Sequence, residues 1–259
     1  MDTFIEIIVN KYELFLIIFV RCSGIFLISP FFSSQNIPNR FKIGLTFFLS
    51  IILTQALEIS IGDLDIPMAV LIFKELLIGI IIGFVSYIFF SSFYVMGQIV
   101  DMNIGFGMVN VVDPQNRIQV PIMGNFYYIL AFLLLLSLDG HHIIINLIVD
   151  SYEFIPIGEF EITEKVTYFI INLVSNIFKL GFRLSMPVFF TIFLLDILLG
   201  ILVRTIPQMN VFVVGLPFKI FVGIIIILLS LPVFNAIVSN SFNELIEDMD
   251  MLLGFFAEG

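Results

Sequence analysis

The side chains best suited to chemistry stand in three places: an Asp139-Gly140-His141-His142 run, ionisable residues inside apolar segments, and a glycine-rich stretch at 97–121. Asp139, His141 and His142 offer one carboxylate and two imidazoles, groups that ligate transition metals. A structural zinc takes four ligands. Here the histidines are neighbours, lack the i,i+4 spacing of a helical metal pair, and have no cysteine nearby. The spacing reads as a Gly-broken turn with polar caps. Ser137, His142 and Asp139 supply the residue types of a nucleophile, a base and an orienting acid. They crowd into one turn without an oxyanion-hole motif, which a triad needs. No phosphate loop, HExxH, GxSxG or CxxC pattern is present. The expectation is a protein without catalytic residues, cofactor or metal.

The second group is Arg21, Lys74, Glu75, Lys179, Arg183, Asp196 and Lys219. An unpaired Arg, Lys or Asp at the centre of a membrane helix costs about 2.5–3.5 kcal/mol on insertion scales. Such residues usually face a bundle interior, water or a partner protein. Lys74 and Glu75 are adjacent and so point to different faces, whereas Lys179 and Arg183 lie one turn apart and share one. Asp196 lies roughly 20 Å along the axis from Arg183, beyond neutralisation by either cation of its own segment. Gly79 and Gly83 form a GxxxG step, which permits close approach of another backbone.

In the third place, Gly105 and Gly107 permit backbone angles that end a helix. Phe106, Met108, Val109, Val111 and Val112 are too apolar for a loop hanging in water. A flexible apolar loop between membrane-like segments fits a cavity or pore; a plain connector dipping into lipid headgroups would look the same.

The elements that must position these residues are apolar. Hydrophobic residues make up 60% of the 259, charged residues 12%, and 32 are Phe. With a mean hydropathy of +1.14, the composition is that of an integral membrane protein. A net charge of −10 argues against nucleic acid and against a polybasic lipid-binding surface. The single cysteine, Cys22, excludes an internal disulfide and reads as a small buried hydrophobe. Asp2 and Glu6 stand where a signal peptide would be basic, so the N-terminus is expected to remain in the mature protein.

Six apolar segments follow: Leu14–Ser29, Phe41–Ile59, Pro67–Val100, Ile122–Leu138, Val166–Val203 and Val211–Phe234. The third and fifth, at ~50 and ~57 Å if helical, overrun a hydrocarbon core of ~30 Å. Pro187 is expected to kink the fifth. The connector at 151–165, containing Pro156 and Gly158, reads as an acidic solvated loop. Phe242, Leu245, Ile246, Met249 and Leu252 suit a short amphipathic helix docking on protein, within an acidic tail at 235–259. Arg40, Lys42, Arg117 and Arg204 in alternate connectors, against Lys11 and Lys165, favour the first set as cytoplasmic.

Taken in order, the pieces resemble the flagellar biosynthesis protein R (FliR) family, whose relatives serve in the type III secretion export gate. They are Arg21 and Gly24 with Pro30; Ile37-Pro38; Lys74, Glu75 and Leu76 with Gly79 and Gly83; Gly97, Gln98 and Asp101; Gly105 to Met108 with Asp113-Pro114; Asp139 to His142; Pro156; Pro187; and Arg204, Pro207, Gln208, Met209 and Asn210 with Pro217 and Lys219. Together they cover nearly the whole chain.

The resemblance implies one all-α export-gate membrane domain over residues 1–259, in the bacterial cytoplasmic (inner) membrane at the flagellar basal body. It implies a non-enzymatic subunit of the protein-conducting channel, assembled with the P and Q subunits and with the B subunit, and passing unfolded export substrates. About six apolar segments would form long, tilted or broken helical hairpins in a helical assembly. The loop would plug the closed channel through Gly105, Phe106, Gly107, Met108, Val109, Val111 and Val112, although Val109 and Asn110 replace expected small residues. Lys74, Glu75, Arg204 and Gln208 would make intersubunit or pore contacts, and Gly79 and Gly83 would pack helices closely. The competing classes are an ion or small-solute transporter subunit, for which no internal repeat is found, and a purely structural scaffold.

Overall fold

A computed structural model describes residues 11–33, 37–57, 66–108, 121–161, 163–206, 208 and 210–257. Among these residues the regular structure is helical: α1 (Tyr12–Ile28), α2 (Pro30–Ser33), α3 (Asn39–Ala56), α4 (Met68–Ile104), a 3-10 turn (Phe106–Met108), α5 (Ile122–Ser137), α6 (Gly140–Phe154), α7 (Glu164–Thr205) and α8 (Val211–Ala257).

Prolines set most of the boundaries. A residue before proline is pushed out of the α region, and Ser29, before Pro30, has ψ 126° and ends α1. Pro38, Pro67 and Pro121 directly precede α3, α4 and α5, where the missing N–H costs nothing. Their carbonyls accept the first helical hydrogen bonds, from Phe41, Val70 and Asn125, each at 2.9 Å. Inside helices proline is instead absorbed: Pro187 lies within α7, and Pro217 and Pro232 within α8.

Three described helices are long and apolar enough to cross a membrane, α4, α7 and most of α8; α5 with α6 makes a fourth if counted as one broken span. The chain is thus an all-α membrane protein; among the described residues three or four such spans pass this length and composition test, against six apolar segments in the sequence. The segment in α1 forms only 17 helical residues. The sixth segment and the acidic tail form one continuous 47-residue helix rather than two. The start of the acidic connector, residues 151–154, is helical rather than loop. Residues from Gly140 to Phe154 are helical, because Ile144, Leu147, Ile148, Ser151 and Tyr152 make a buried stripe at i, i+3, i+4, i+7 and i+8.

Contacts divide the chain into two compact units: Met1–Ile88, Asp139–Leu173 and Glu244–Gly259 in the first, and Phe89–Leu138 with Val174–Asn243 in the second. The core of the first holds Ile17, Ile18, Cys22 and Ile25 of α1, with Ile148 of α6 and Leu252 of α8. In the second, aromatic rings make the core: Phe93 and Tyr127 both pack on Phe234, at 6.0 and 5.0 Å between centroids.

Candidate functional site

In the first unit the polar centre is built around Arg21. Gly24, one turn on, lets α1 approach α4 closely: a Cβ there would come within 2.9 Å of the Leu76 carbonyl oxygen. A Cβ on Gly79 would overlap the Arg21 carbonyl oxygen, and one on Gly83 would meet the Ile25 carbonyl at 3.1 Å. Backbone contact of this kind brings the Arg21 side chain alongside Glu75, both fully buried.

Arg21 Nε donates to Glu75 Oε2 at 2.6 Å. Its Nη1 donates to the carbonyl and hydroxyl oxygens of Ser151 at 2.8 and 3.1 Å, and Nη2 to the Ile155 carbonyl at 3.1 Å. The Tyr152 ring lies 3.9 Å from the guanidinium carbon, a cation–π contact. A charge pair removed from water survives only with such compensation. Glu75 Oε1 and the Tyr152 hydroxyl, both buried, have no partner. Lys74, half-buried, donates from Nζ to the Gly158 carbonyl at 2.9 Å. These groups form a desolvated structural joint; Ser137 Oγ, which the sequence offers as a nucleophile, donates to the Leu134 carbonyl at 2.7 Å.

In the second unit α4 and α5 meet at Gly97 and Gly124, where a Cβ on Gly97 would overlap the Gly124 backbone. The buried Asp101 carboxylate accepts the Met123 N–H at 3.2 and 3.3 Å, satisfying an orphan donor at the start of α5. Ile104 is buried against Gly223, and α4 then stops at Gly105, whose φ is +101°. Phe106 to Met108 follow as a single 3-10 turn. Of the seven loop residues singled out in the sequence, Val109, Val111 and Val112 lie outside the described residues.

Asp196 of α7 pairs with Lys219 of α8, so its counter-charge comes from the next helix. Lys179 and Arg183 are exposed on α7, with Lys179 Nζ donating to Asn176 Oδ1 at 3.2 Å. Arg204 and Gln208 are exposed.

The description "Bacterial export proteins, family 1" matches residues 12–245 of the chain. The flagellar biosynthetic protein FliR of Bacillus subtilis is 36% identical over 250 residues, covering 95% of this chain and 96% of that one. The chain belongs to the FliR family. Its FliR relatives in Aquifex aeolicus and Escherichia coli are 30% and 29% identical, over 88% and 84% of each chain. The sequences named FliR carry the name of a flagellar biosynthetic protein, not of an enzyme.

Among the residues that organise this FliR-family chain, Ser151 and Ile155 were missed by sequence reasoning, as was the Lys219–Asp196 pairing. The signal for Ser151 was present in the stripe of α6, which Ile155 follows as the C-cap. For the pairing, sequence supplied only the two unneutralised charges.

Proposed function

We propose that this chain is a non-enzymatic subunit of the flagellar type III protein export gate. It resides in the bacterial cytoplasmic membrane at the flagellar basal body. It forms part of the protein-conducting channel with the P and Q subunits, contacts the B subunit, and passes unfolded export substrates. Its apolar segments act there as long, tilted or broken helical hairpins within a helical assembly.

The observation carrying this reading is how little of the two longest helices the chain covers itself. Only 22% of the apolar window of α7, and of α8, is buried. With 42 and 47 residues, these helices run to ~63 and ~70 Å, about twice the ~30 Å hydrocarbon core. Helices of this length overrun the lipid, and the length beyond it calls for protein neighbours; Phe178, Phe190 and Leu229 are among the side chains the chain leaves exposed. The contacts with such neighbours are assigned to Arg204 and Gln208, which are exposed, and to Lys74, which is half-buried. Glu75, fully buried against Arg21, offers no surface to such a neighbour.

The loop from Gly105 through Val112 plugs the closed channel. Support comes from the left-handed Gly105 at the end of α4, a hinge that residues with side chains adopt only under strain. Phe106 and Met108 follow, and Met repacks readily around a passing chain. Deleting residues 106–112 tests the plug: membrane ion leakage rises while co-purification with the P and Q subunits persists. Unchanged conductance in an assembled complex overturns it.

A further inference from the structure

The turn that opens α6 gathers three metal-ligating side chains. Asp139, with φ 56° and ψ 25°, is left-handed, the one non-glycine residue with positive φ among those described. Its Oδ1 lies 3.7 Å from His142 Nδ1. The His141 and His142 rings sit 4.1 Å apart between centroids, tilted by 40°. Consecutive helical side chains ordinarily diverge; at this first turn they converge. One ligand atom from each of Asp139, His141 and His142 lies within 4.8 Å of the other two. His141 Nδ1 is shielded from solvent and has no hydrogen-bond partner, an arrangement buried polar atoms rarely keep.

We propose that Asp139, His141 and His142 bind one divalent transition-metal ion of the Zn2+ or Cu2+ type, with remaining coordination positions open to water. Two imidazole nitrogens and one carboxylate oxygen suit these ions better than Mg2+ or Ca2+, which prefer all-oxygen sites. Bonds of about 2.0–2.2 Å require the three atoms to draw somewhat closer. Asp139 and His142 are free to do so, their side chains being 78% and 67% exposed. The positive end of the α6 dipole opposes a cation, and the Asp139 carboxylate offsets it. The ion ties the left-handed residue to the first turn of α6.

The test is unusually clean, because His141 and His142 are the chain's only histidines. Full-length chain in detergent, its affinity tag removed, is stripped with chelator and titrated with Cu2+ or Zn2+. The expected result is one ion per chain, with Cu2+ paramagnetic resonance showing coupling to two imidazole nitrogens. A His141→Gln/His142→Gln variant of unchanged helicity loses that coupling and at least tenfold in affinity; Asp139→Asn loses several-fold. Wild-type protein that binds no ion, or a double variant that binds as tightly as wild type, overturns the proposal.

Discussion

Gly97 of α4 and Gly124 of α5 lie so close that a methyl group on Gly97 would occupy the same space as the Gly124 backbone. Backbone cannot step aside as a side chain can. Gly97→Ala is expected to destabilise the chain by about 1–3 kcal/mol, the range for overpacking a filled interior. Gly44→Ala is the control: a Cβ there meets nothing within 4 Å, and the substitution is neutral or stabilises by up to about 1 kcal/mol. Chemical denaturation of the purified chain in detergent measures both.

Glu75→Ala strands the Arg21 guanidinium in a site that excludes water. Removing one member of a buried pair costs about 3–5 kcal/mol, and the same denaturation assay should show a loss of that size. Replacing both, as Arg21→Met with Glu75→Leu, recovers most of it, since two apolar groups leave no uncompensated charge. Arg21→Lys, with Glu75 kept, also loses stability, because an ammonium cannot reach Glu75, Ser151 and Ile155 together.

Charge reversal tests the joint between α7 and α8. Asp196→Lys and Lys219→Asp each place like charges together and should lower the steady-state level of the protein in membranes. Combined, the two restore an ion pair of opposite sense and return the level toward wild type. The coupling energy should be modest, about 0.2–1 kcal/mol, because both side chains are partly exposed, 45% and 23%.

Gly105→Ala forces a Cβ into a left-handed backbone, at a cost of about 1–2 kcal/mol, and against the Leu216 side chain at 2.7 Å. Motility of a complemented null strain in soft agar should fall. Gly107→Ala, with open space around it, should leave motility near wild type. Equal behaviour of the two would show that the hinge conformation at Gly105 does not matter.

Helix positions were legible from hydrophobic runs and prolines, and the family from motif order. The composition also announced a membrane chain. Partner choice was not legible. Arg21 takes its counter-charge from Glu75 and its remaining acceptors from Ser151 and Ile155, separated from it by 54, 130 and 134 residues. No local period carries such information. Helix α6 was overlooked for a different reason: acidic residues and the nearby Pro156 and Gly158 masked its apolar stripe, whose spacing alone would have revealed it. The sixth apolar segment ends at Phe234, yet α8 runs on to Ala257 and through Pro217 and Pro232, since a membrane helix can re-satisfy the carbonyls that proline frees.

The sequence separations around Arg21 also bear on biogenesis. Helix α1 leaves the ribosome carrying a guanidinium whose acceptors are not yet made; Glu75 emerges later, and the Ser151 and Ile155 carbonyls later still. Until then α1 is a poor candidate for a settled place in lipid. Helix α1 is therefore expected to lock in late, after α6 has been synthesised. In a nascent chain truncated before Ser151, the Cys22 thiol of α1, buried in the full fold, should react with water-soluble thiol reagents.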